Sequence, residues 1–298
     1  MKLLILGTGA LATLFANRLS AAGAEVTLLG SWAEGLTALN HAGAQLEGTS
    51  GFRVHASNDP ADCLGMEYAL VLVKSRQTQR AASQLAECIA PHGMAISLQN
   101  GLGNETALAE ALGGERVFQG VTTLGATLLA PGLVRLCGEG AVTLPSGPRL
   151  IPLIDLLKQA GFDVQSVDDI QPLVWGKLVI NAAINPLTAL LRVKNGLLLD
   201  APSARQVMGS LANEAAAAAQ ACGIRLPFED PAGTVEQVAR ETARNSSSML
   251  QDVLRGVETE VDAINGAVVQ RGEEKGLAMP VNRLVWSLVK AIPVRGNI

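Results

Sequence analysis

Hydrophobic and polar positions change their period once along the chain, from short apolar runs in the first half to helix-period segments in the second. The short apolar runs predict buried strands at 2–6, 25–29, 68–73 and 94–98. Helical patterns lie between these strands, to about residue 22 and over 77–90. Because strands that alternate with helices form parallel sheets through right-handed crossovers, we expect an α/β domain here.

The second half of the chain shows no strand pattern after residue 168. A shorter, more β-like pattern over 117–144, with turns at 131–132 and 138–140, comes before that point. Beyond it, helices are predicted at 169–193, 203–222, 231–244, 257–274 and 281–291. Because 298 residues fit about two domains, we expect an α/β domain over 1–168 and an all-helical domain over 169–298.

One predicted helix carries polar residues at intervals of four on an otherwise apolar surface. Lys177, Asn181 and Asn185 lie in this segment, and each step of four advances the helix face by only about 40°. A cation and two amides facing apolar neighbours are costly unless a polar group lies opposite, and a small oxygen-rich substrate would be such a group. Pro186 removes the backbone donor for the Ala182 carbonyl and is expected to bend the helix.

A glycine motif lies between the first strand and the first helix. Gly7 permits the tight turn, Gly9 lets the backbone approach a pyrophosphate, and Ala12 is small enough for close helix–strand packing. The helix then offers free N–H groups and its positive dipole end to phosphates. In this context the motif predicts a Rossmann-like, dinucleotide-binding domain over 1–168, with a plain strand–helix turn as the alternative.

The end of the second strand normally distinguishes NAD from NADP. An acid there holds the ribose diol and a base holds the 2′-phosphate, but residues 28–32 contain neither. The missing acid favours NADPH, with Ser31 as a donor to the phosphate and Lys74 as the source of positive charge. The missing arginine weakens this inference, and Lys74 could instead be a solvated lysine at a strand end.

Composition and charge restrict the partners and the location. The net charge of −4 argues against nucleic acid or an anionic membrane as partner, and no uninterrupted apolar run reaches the roughly 18 residues of a membrane helix. Residues 1–6 lead straight into glycines and predict a strand, not a secretory signal. The four cysteines are scattered without a Cys-x-x-Cys pair, which favours reduced thiols in a cytoplasmic protein and no metal site. The alanine-rich stretch 215–219 could pack within its own domain or in a homodimer.

Motifs over nearly the whole chain follow one another in a recognisable order. They are 7–12, Lys74, 99–103, 120–123 with Ala126, 177–189, 195–196, 247–252, 259–262 and 265–266. The Lys-x-x-x-Asn-x-x-x-Asn-Pro run at 177–186 and the Ser-Ser-Met-x-Gln-Asp run at 247–252 are specific, whereas the glycine motif alone is not. Together they resemble the 2-dehydropantoate 2-reductase (ketopantoate reductase) family.

The resemblance implies hydride transfer from NADPH to the keto carbon of 2-dehydropantoate, a 2-oxo acid, which gives D-pantoate for pantothenate and coenzyme A synthesis. Lys177 would be the general acid next to the keto oxygen. Glu260 would hold the substrate's terminal hydroxyl and touch the cofactor, and Asn100 would lie between nicotinamide and substrate. The other implied substrate-binding residues are Asn181, Asn185, Asn195 and Ser248, and the other implied cofactor-binding residues are Gly7, Thr8, Gly9, Ala10, Leu11, Ala12, Ser31, Lys74 and Ala126.

The chemistry of lysine supports the general-acid role independently of the family resemblance. Hydride delivery to a ketone builds negative charge on oxygen, where a cation able to donate a proton is needed. Arginine does not release its proton, whereas apolar burial lowers a lysine pKa from about 10.4 towards working pH. Apolar residues such as Val174 and Leu178 surround Lys177, as this role requires.

Structural roles stay open for several of these residues. Lys177 could be an interface lysine whose stem lies on apolar surface, and Asn185 could be purely structural ahead of the proline. Ser248 could cap a helix in a capping box. Glu260 could lie on a solvated helix face, and Asn195 could serve only a turn.

Other functions also stay open. The enzyme could reduce another branched 2-oxo acid or an opine-like imine, or the protein could be a non-catalytic NADP-binding sensor. Two positions and one segment depart from the family pattern, and the segment, 144–147, ends the first domain less typically. Ser31 stands where many members have arginine, and Ala12 replaces the usual third glycine.

Overall fold

The computed structural model describes residues 1–294 as two compact units. Unit 1 comprises Met1–Gln99 and Asn104–Ile170, and unit 2 comprises Asn100–Gly103 and the chain from Gln171 onward. Residues 100–103 lie within the predicted first domain but group with unit 2. The chain therefore passes between the units three times, at 99/100, 103/104 and 170/171.

Unit 1 combines strands with five α-helices in its described residues. The strands are β1 (Lys2–Leu6), β2 (Glu25–Leu29), β3 (Gln45–Leu46), β4 (His55–Ser57), β5 (Met66–Val71), β6 (Ile89–Ser97), β7 (Val117–Gln119), β8 (Val121–Thr122), β9 (Gly125–Ala130), β10 (Leu133–Gly138), β11 (Ala141–Pro145) and β12 (Asp163–Val167). The helices are α1 (Ala10–Ala21), α2 (Ala33–Ala42), α3 (Thr78–Cys88), α4 (Asn104–Leu112) and α5 (Ile151–Gln159).

A six-stranded, all-parallel sheet forms the centre of unit 1, in the order β4-β2-β1-β5-β6-β7. Side chains of β1 alternate between two apolar clusters, because successive residues of a strand point to opposite faces. Leu3 and Ile5 join one cluster, and Leu4 and Leu6 join the other. The predicted parallel α/β domain is confirmed, and β1 and β2 have the predicted bounds.

Two three-stranded sheets account for the predicted β-like stretch. One has the order β3-β10-β9 and the other β12-β11-β8, and each contains a parallel and an antiparallel pair. The prediction of short strands over 117–144 is therefore confirmed.

Unit 2 is helical throughout its described part. Its helices are α6 (Gln171–Leu191), α7 (Pro202–Ala221), α8 (Pro231–Glu241), α9 (Ser248–Arg255), α10 (Ala267–Glu274) and α11 (Pro280–Lys290), with a π-helical turn over Asp262–Gly266. Four helices, α6, α7, α8 and α11, lie within three residues of the predicted bounds. The helix predicted over 257–274 is wrong in its first part, because Gly256 at φ 68° ends α9 and residues 257–261 are not helical.

Helix α6 lies in the core of unit 2 and packs against α7, α8, α9 and α11. It is long and apolar enough to cross a membrane by length and composition, but 72% of its apolar window is buried inside the protein, as in a core helix. Ala215, Ala218 and Ala219 of α7 are fully buried in the same core. These three residues of the alanine-rich stretch therefore pack within their own unit, which is the first of the two alternatives.

Candidate active site

The glycine turn of unit 1 has the geometry of a phosphate-binding turn. Gly7 has φ 117°, its N–H donates to the Leu29 carbonyl at 2.8 Å, and a Cβ there would lie 3.1 Å from the Leu72 carbonyl oxygen. At Gly9, by contrast, a Cβ would meet no described atom within 4 Å. No described side chain caps the start of α1, and its first turn contains no acid. Packing inside the protein therefore does not require Gly9, and the open helix terminus fits a dinucleotide pyrophosphate.

Seven further predicted cofactor residues belong to unit 1, whereas Asn100 and Glu260 belong to unit 2. Thr8 is 6% exposed, and its Cγ2 would lie 2.8 Å from a Cβ built on Gly30, directly before the exposed Ser31. Lys74 is partly buried and precedes a short 3₁₀ turn after β5, and Ala126 is partly buried in β9. Ala10 and Leu11 are partly exposed in the first turn of α1, whereas Ala12 is buried against the sheet as its small size predicts.

A buried amide network at the end of β6 shapes the turn that leads to Asn100. The Gln99 side chain donates to the Val73 carbonyl at 2.9 Å and to Thr78 Oγ1 at 2.7 Å, and it accepts from Ser97 Oγ at 3.0 Å. Every polar atom of this amide is thus used within unit 1. The sequence motif contained Gln99 but gave no indication of this structural role.

Residues 100–103 lie against the segment that contains Glu260, within unit 2. Asn100 Nδ2 donates to Glu260 Oε2 at 3.4 Å, and the Leu102 N–H donates to the Ala263 carbonyl at 3.0 Å. Gly101 has φ 84°, and a Cβ there would overlap the Ala263 carbonyl oxygen. Glu260 is only 6% exposed and lies in a loop, so the alternative of a solvated helix face is wrong.

Lys177 is a partly buried lysine in the middle of α6, among apolar neighbours. Burial lowers the pKa of its ammonium group to about 8, against the opposing effect of the Glu260 carboxylate, which raises this pKa. A lysine with this pKa exchanges a proton near neutral pH. Lys177 and Glu260 together supply a cation and an anion in one electrostatically coupled pair.

The two asparagines of the stripe offer amides to a ligand. Asn185 is 6% exposed and Asn181 is partly buried, yet neither side chain makes a hydrogen bond within residues 1–294. Their polar atoms are not among those sealed from solvent. Since buried amides are normally paired, these two are the groups that a polar ligand would satisfy.

Pro186 lies inside α6, and its missing N–H leaves the Ala182 carbonyl without its usual helical donor, as predicted. Asn265, in the π-helical turn, fills that position, because its Nδ2 donates to the Ala182 carbonyl at 2.9 Å. Asn265 is fully buried. The sequence motifs included Asn265 but did not indicate this role, although a carbonyl freed by proline requires a donor from elsewhere.

A hydroxyl chain joins α6 to the start of α9. Thr188 Oγ1 donates to the Asn185 carbonyl at 2.8 Å, so Ser247 Oγ is the donor in its 2.7 Å contact with Thr188. Ser247 Oγ also accepts from the Leu250 N–H at 3.0 Å and is the N-cap of α9. The alternative that Ser248 caps this helix is therefore wrong. Ser248 is the first helical residue, and its hydroxyl has no hydrogen-bond partner in the described chain.

Asn195 differs from the stripe asparagines because its side chain is used inside unit 2. Its Nδ2 donates to Thr242 Oγ1 at 2.8 Å, and its Oδ1 is sealed from solvent without a hydrogen bond to any described residue. The Asn195 backbone N–H donates to the Asn245 carbonyl at 3.1 Å. The observed contacts support a structural role in the turn, and its binding role stays a prediction.

Comparison with known proteins places this arrangement in a family. The family model described as Ketopantoate reductase PanE/ApbA matches residues 3–149, and its C-terminal counterpart matches residues 169–293. The 2-dehydropantoate 2-reductase of Archaeoglobus fulgidus is 38% identical over 296 residues, which cover 97% of this chain and 96% of that protein. The chain belongs to the ketopantoate reductase family. Another member, the 2-dehydropantoate 2-reductase of Vibrio cholerae, is 32% identical over 98% of both chains.

Solved structures agree with this assignment to a family of oxidoreductases. The PanE/ApbA family ketopantoate reductase of Ralstonia eutropha JMP134 has a TM-score of 0.92 and 32% identity, with 98% of both chains covered. D-mandelate dehydrogenase in ternary complex with NADH and anilino(oxo)acetate has a TM-score of 0.90 and 27% identity, with 98% of this chain and 97% of that chain covered. The fold is a Rossmann-like NAD(P)-binding fold with a helical C-terminal region.

Proposed function

We propose that the protein catalyses the NADPH-dependent reduction of 2-dehydropantoate to D-pantoate, a step of pantothenate biosynthesis, with Lys177 as general acid. The observation that carries this proposal is the partly buried lysine with a pKa of about 8, coupled to Glu260 and followed on one helix face by two amides that have no hydrogen-bond partner among residues 1–294. The names of relatives at 31–38% identity support the substrate. The scattered cysteines favour a cytoplasmic location.

The chemistry assigned to Lys177 follows from where charge develops. When bound, NADPH supplies the hydride that adds to the keto carbon. The carbonyl π electron pair then moves to oxygen, and Lys177 Nζ donates a proton to that oxygen, so that a hydroxyl forms. Below its pKa the lysine holds both the positive charge and the proton that this step requires.

The remaining polar groups of unit 2 would bind the substrate. The amides of Asn181 and Asn185 and the hydroxyl of Ser248 are proposed to hold the carboxylate and hydroxyl oxygens, since they lack partners within the described residues. Glu260 would accept a hydrogen bond from the terminal hydroxyl of the substrate. Asn100, which donates to Glu260, would orient that carboxylate and would itself lie between nicotinamide and substrate.

The cofactor proposal assigns the dinucleotide to the glycine turn of unit 1. The open N-terminus of α1 and the bare backbone at Gly9 fit a pyrophosphate. NADPH is proposed over NADH because no acid follows β2, and Ser31 is exposed there for a phosphate. Lys74 would contribute positive charge, and Ala126 would line the site.

A second candidate is the reduction of a different 2-oxo acid. The structural similarity to a D-mandelate dehydrogenase complex with NADH and anilino(oxo)acetate favours it, because that protein has 27% identity to this chain and a nearly identical fold. A 2-oxo acid without a terminal hydroxyl would leave Glu260 without its proposed substrate contact. The two candidates therefore differ in whether Glu260 is needed for substrate binding.

The test follows the loss of NADPH absorbance with 2-dehydropantoate, and repeats it with NADH and with 2-oxoisovalerate, which lacks the hydroxymethyl group. Fast turnover that requires both 2-dehydropantoate and NADPH is expected. Lys177→Ala should abolish most turnover and leave NADPH binding unchanged, whereas Lys194→Ala, at an exposed lysine of the same unit, should keep full activity. Cofactor binding without turnover of any oxo acid would instead support a sensor, and unchanged turnover in Lys177→Ala would refute the acid role.

A further inference from the structure

Buried amides connect the π-helical turn to α6 at the point where Pro186 breaks the backbone hydrogen-bond pattern. Asn265 Nδ2 donates both to the Ala182 carbonyl and to Asn282 Oδ1, each at 2.9 Å. Both asparagines are 0% exposed. A leucine or alanine at 265 would leave the Ala182 carbonyl unpaired in the core, where an unmade hydrogen bond is costly.

Asn282 is held in turn from the opposite side. Its Nδ2 donates to the Leu211 carbonyl at 3.2 Å and to Glu214 Oε2 at 2.9 Å, and its backbone N–H donates to the same carboxylate at 2.8 Å. The network therefore runs from α7 through the start of α11 to the π-helical turn and α6. These contacts hold the Asn282 amide whose Oδ1 accepts from Asn265.

The π-helical turn follows directly on Glu260. The Ile264 N–H donates to the Glu260 carbonyl at 3.1 Å, and the Gly266 N–H donates to the Val261 carbonyl at 3.0 Å. Residue 265 therefore lies between the two donors of these hydrogen bonds, which connect its backbone to Glu260 and Val261 one turn earlier. π-helical turns are rare and often lie at functional sites, which fits this location.

We infer that Asn265 is a positioning residue: by holding the carbonyl that Pro186 frees, it fixes the Glu260 segment to α6 and so places the Glu260 carboxylate beside Lys177. The inference deepens the proposed function, on which its kinetic readout rests. It assigns Asn265 no contact with substrate or cofactor.

The charged groups around α6 allow this placement to be measured. The Glu260 carboxylate raises the pKa of Lys177 and so acts against the effect of burial. Asp252 of α9 is buried, Glu214 of α7 is engaged by Asn282, and the ion pair between α7 and α8 lies at the surface. Moving Glu260 away should therefore lower the pKa of Lys177 further, since less negative charge would then offset its burial.

The experiment measures the pKa of Lys177 in ligand-free protein from its ¹³Cε chemical shift, with Lys177→Met to identify its signal among the seven lysines. Asn265→Ala removes the donor to Ala182. The double variant Pro186→Ala with Asn265→Ala returns a helical N–H donor to the Ala182 carbonyl. That carbonyl is then paired again, but the hydrogen bond between the π-helical turn and α6 is still missing. Glu260→Gln is the positive control, and Val235→Ala, in the same core, is the control for lost stability alone.

In Glu260→Gln the pKa of Lys177 should fall by about 1 to 3, the usual effect of losing a nearby opposite charge. Asn265→Ala and the double variant should each lower it by about 1, which reduces kcat/KM for the keto acid at pH 8 about fivefold. Val235→Ala should titrate like the wild type. A wild-type pKa in both Asn265 variants, or an equal fall in Val235→Ala, would overturn the inference. Because the titration needs no turnover, it decides this point even if the protein reduces no keto acid.

Discussion

Replacing Lys177 should stabilise the protein at neutral pH. The folded protein lowers the pKa of this ammonium group from 10.5 to about 8, and each pKa unit corresponds to about 1.4 kcal/mol. Below pH 8 the charged lysine therefore costs the folded state at most about 3.5 kcal/mol, a limit that solvent screening of the partly exposed side chain reduces. Lys177→Met removes this cost.

The sign of the pH dependence follows from proton binding. Between pH 8 and 10.5 the unfolded chain holds the Lys177 proton and the folded protein does not, so wild-type stability rises with pH over this window. Below pH 8 both states are protonated, and above 10.5 neither is. The stability advantage of Lys177→Met should therefore be constant below about pH 8 and disappear by about pH 10.5. Because Glu260 loses its neighbouring cation in this variant, the double variant with Glu260→Gln should show the larger advantage at pH 7.

Urea unfolding of ligand-free protein checks this pH dependence. The unfolding is monitored by tryptophan fluorescence in a Trp32→Phe background. The two remaining tryptophans, Trp175 and Trp286, both lie in unit 2 with Lys177, so the signal reports that unit. Lys194→Met, at an exposed lysine of unit 2, controls for the loss of a positive charge. The claim that burial makes the charged lysine costly would be refuted by either of two results. One is that Lys177→Met raises the free energy of unfolding equally at pH 7 and pH 10, and the other is that it lowers it at both.

Three further predictions concern the same unit. Initial rates of keto acid reduction should fall above about pH 8, where Lys177 loses its proton, while D-pantoate oxidation should rise over the same range; parallel profiles would contradict the acid role. Gly101→Ala forces a side chain into a left-handed backbone and against the Ala263 carbonyl, so thermal unfolding should show a loss of about 1–3 kcal/mol and the KM should rise. Ser247→Ala removes the cap of α9 and should cost about 1 kcal/mol in urea unfolding, whereas Ser248→Ala should keep stability and raise the KM; the reverse pattern would be evidence against the observed cap.

The local pattern of apolar and polar residues was sufficient to predict most of the fold. Strands β1 and β2 and the helix α6 were predictable, because apolar runs next to glycine and a long 3.6-residue period depend only on nearby residues. Helix α9 was missed, since eight residues are too few for a clear period. Ser247 and Ser248 are equivalent as caps in sequence, and only the contacts of Ser247 Oγ with the Leu250 N–H at 3.0 Å and with Thr188 Oγ1 at 2.7 Å distinguish them.

The candidate site depended on contacts between distant residues, which a single sequence does not contain. The stripe on α6 and the carbonyl freed by Pro186 followed from helix geometry. That Asn265 supplies the missing donor did not, because Asn265 and Ala182 are 83 positions apart in the chain and meet only through the fold. The loop at Glu260 was predicted as helix for the same reason, since tertiary contacts override local propensity there.

The three passages of the chain between the units restrict how the protein could be recombined with its relatives. A chimera that exchanges only the residues from Gln171 onward would combine the Glu260 segment of one parent with the Asn100–Gly103 loop of the other. The overlap that Gly101 avoids and the hydrogen bond from Leu102 to Ala263 would then have to hold between parents that did not evolve together. Functional chimeras should therefore need two exchanged segments, the long one and these four residues.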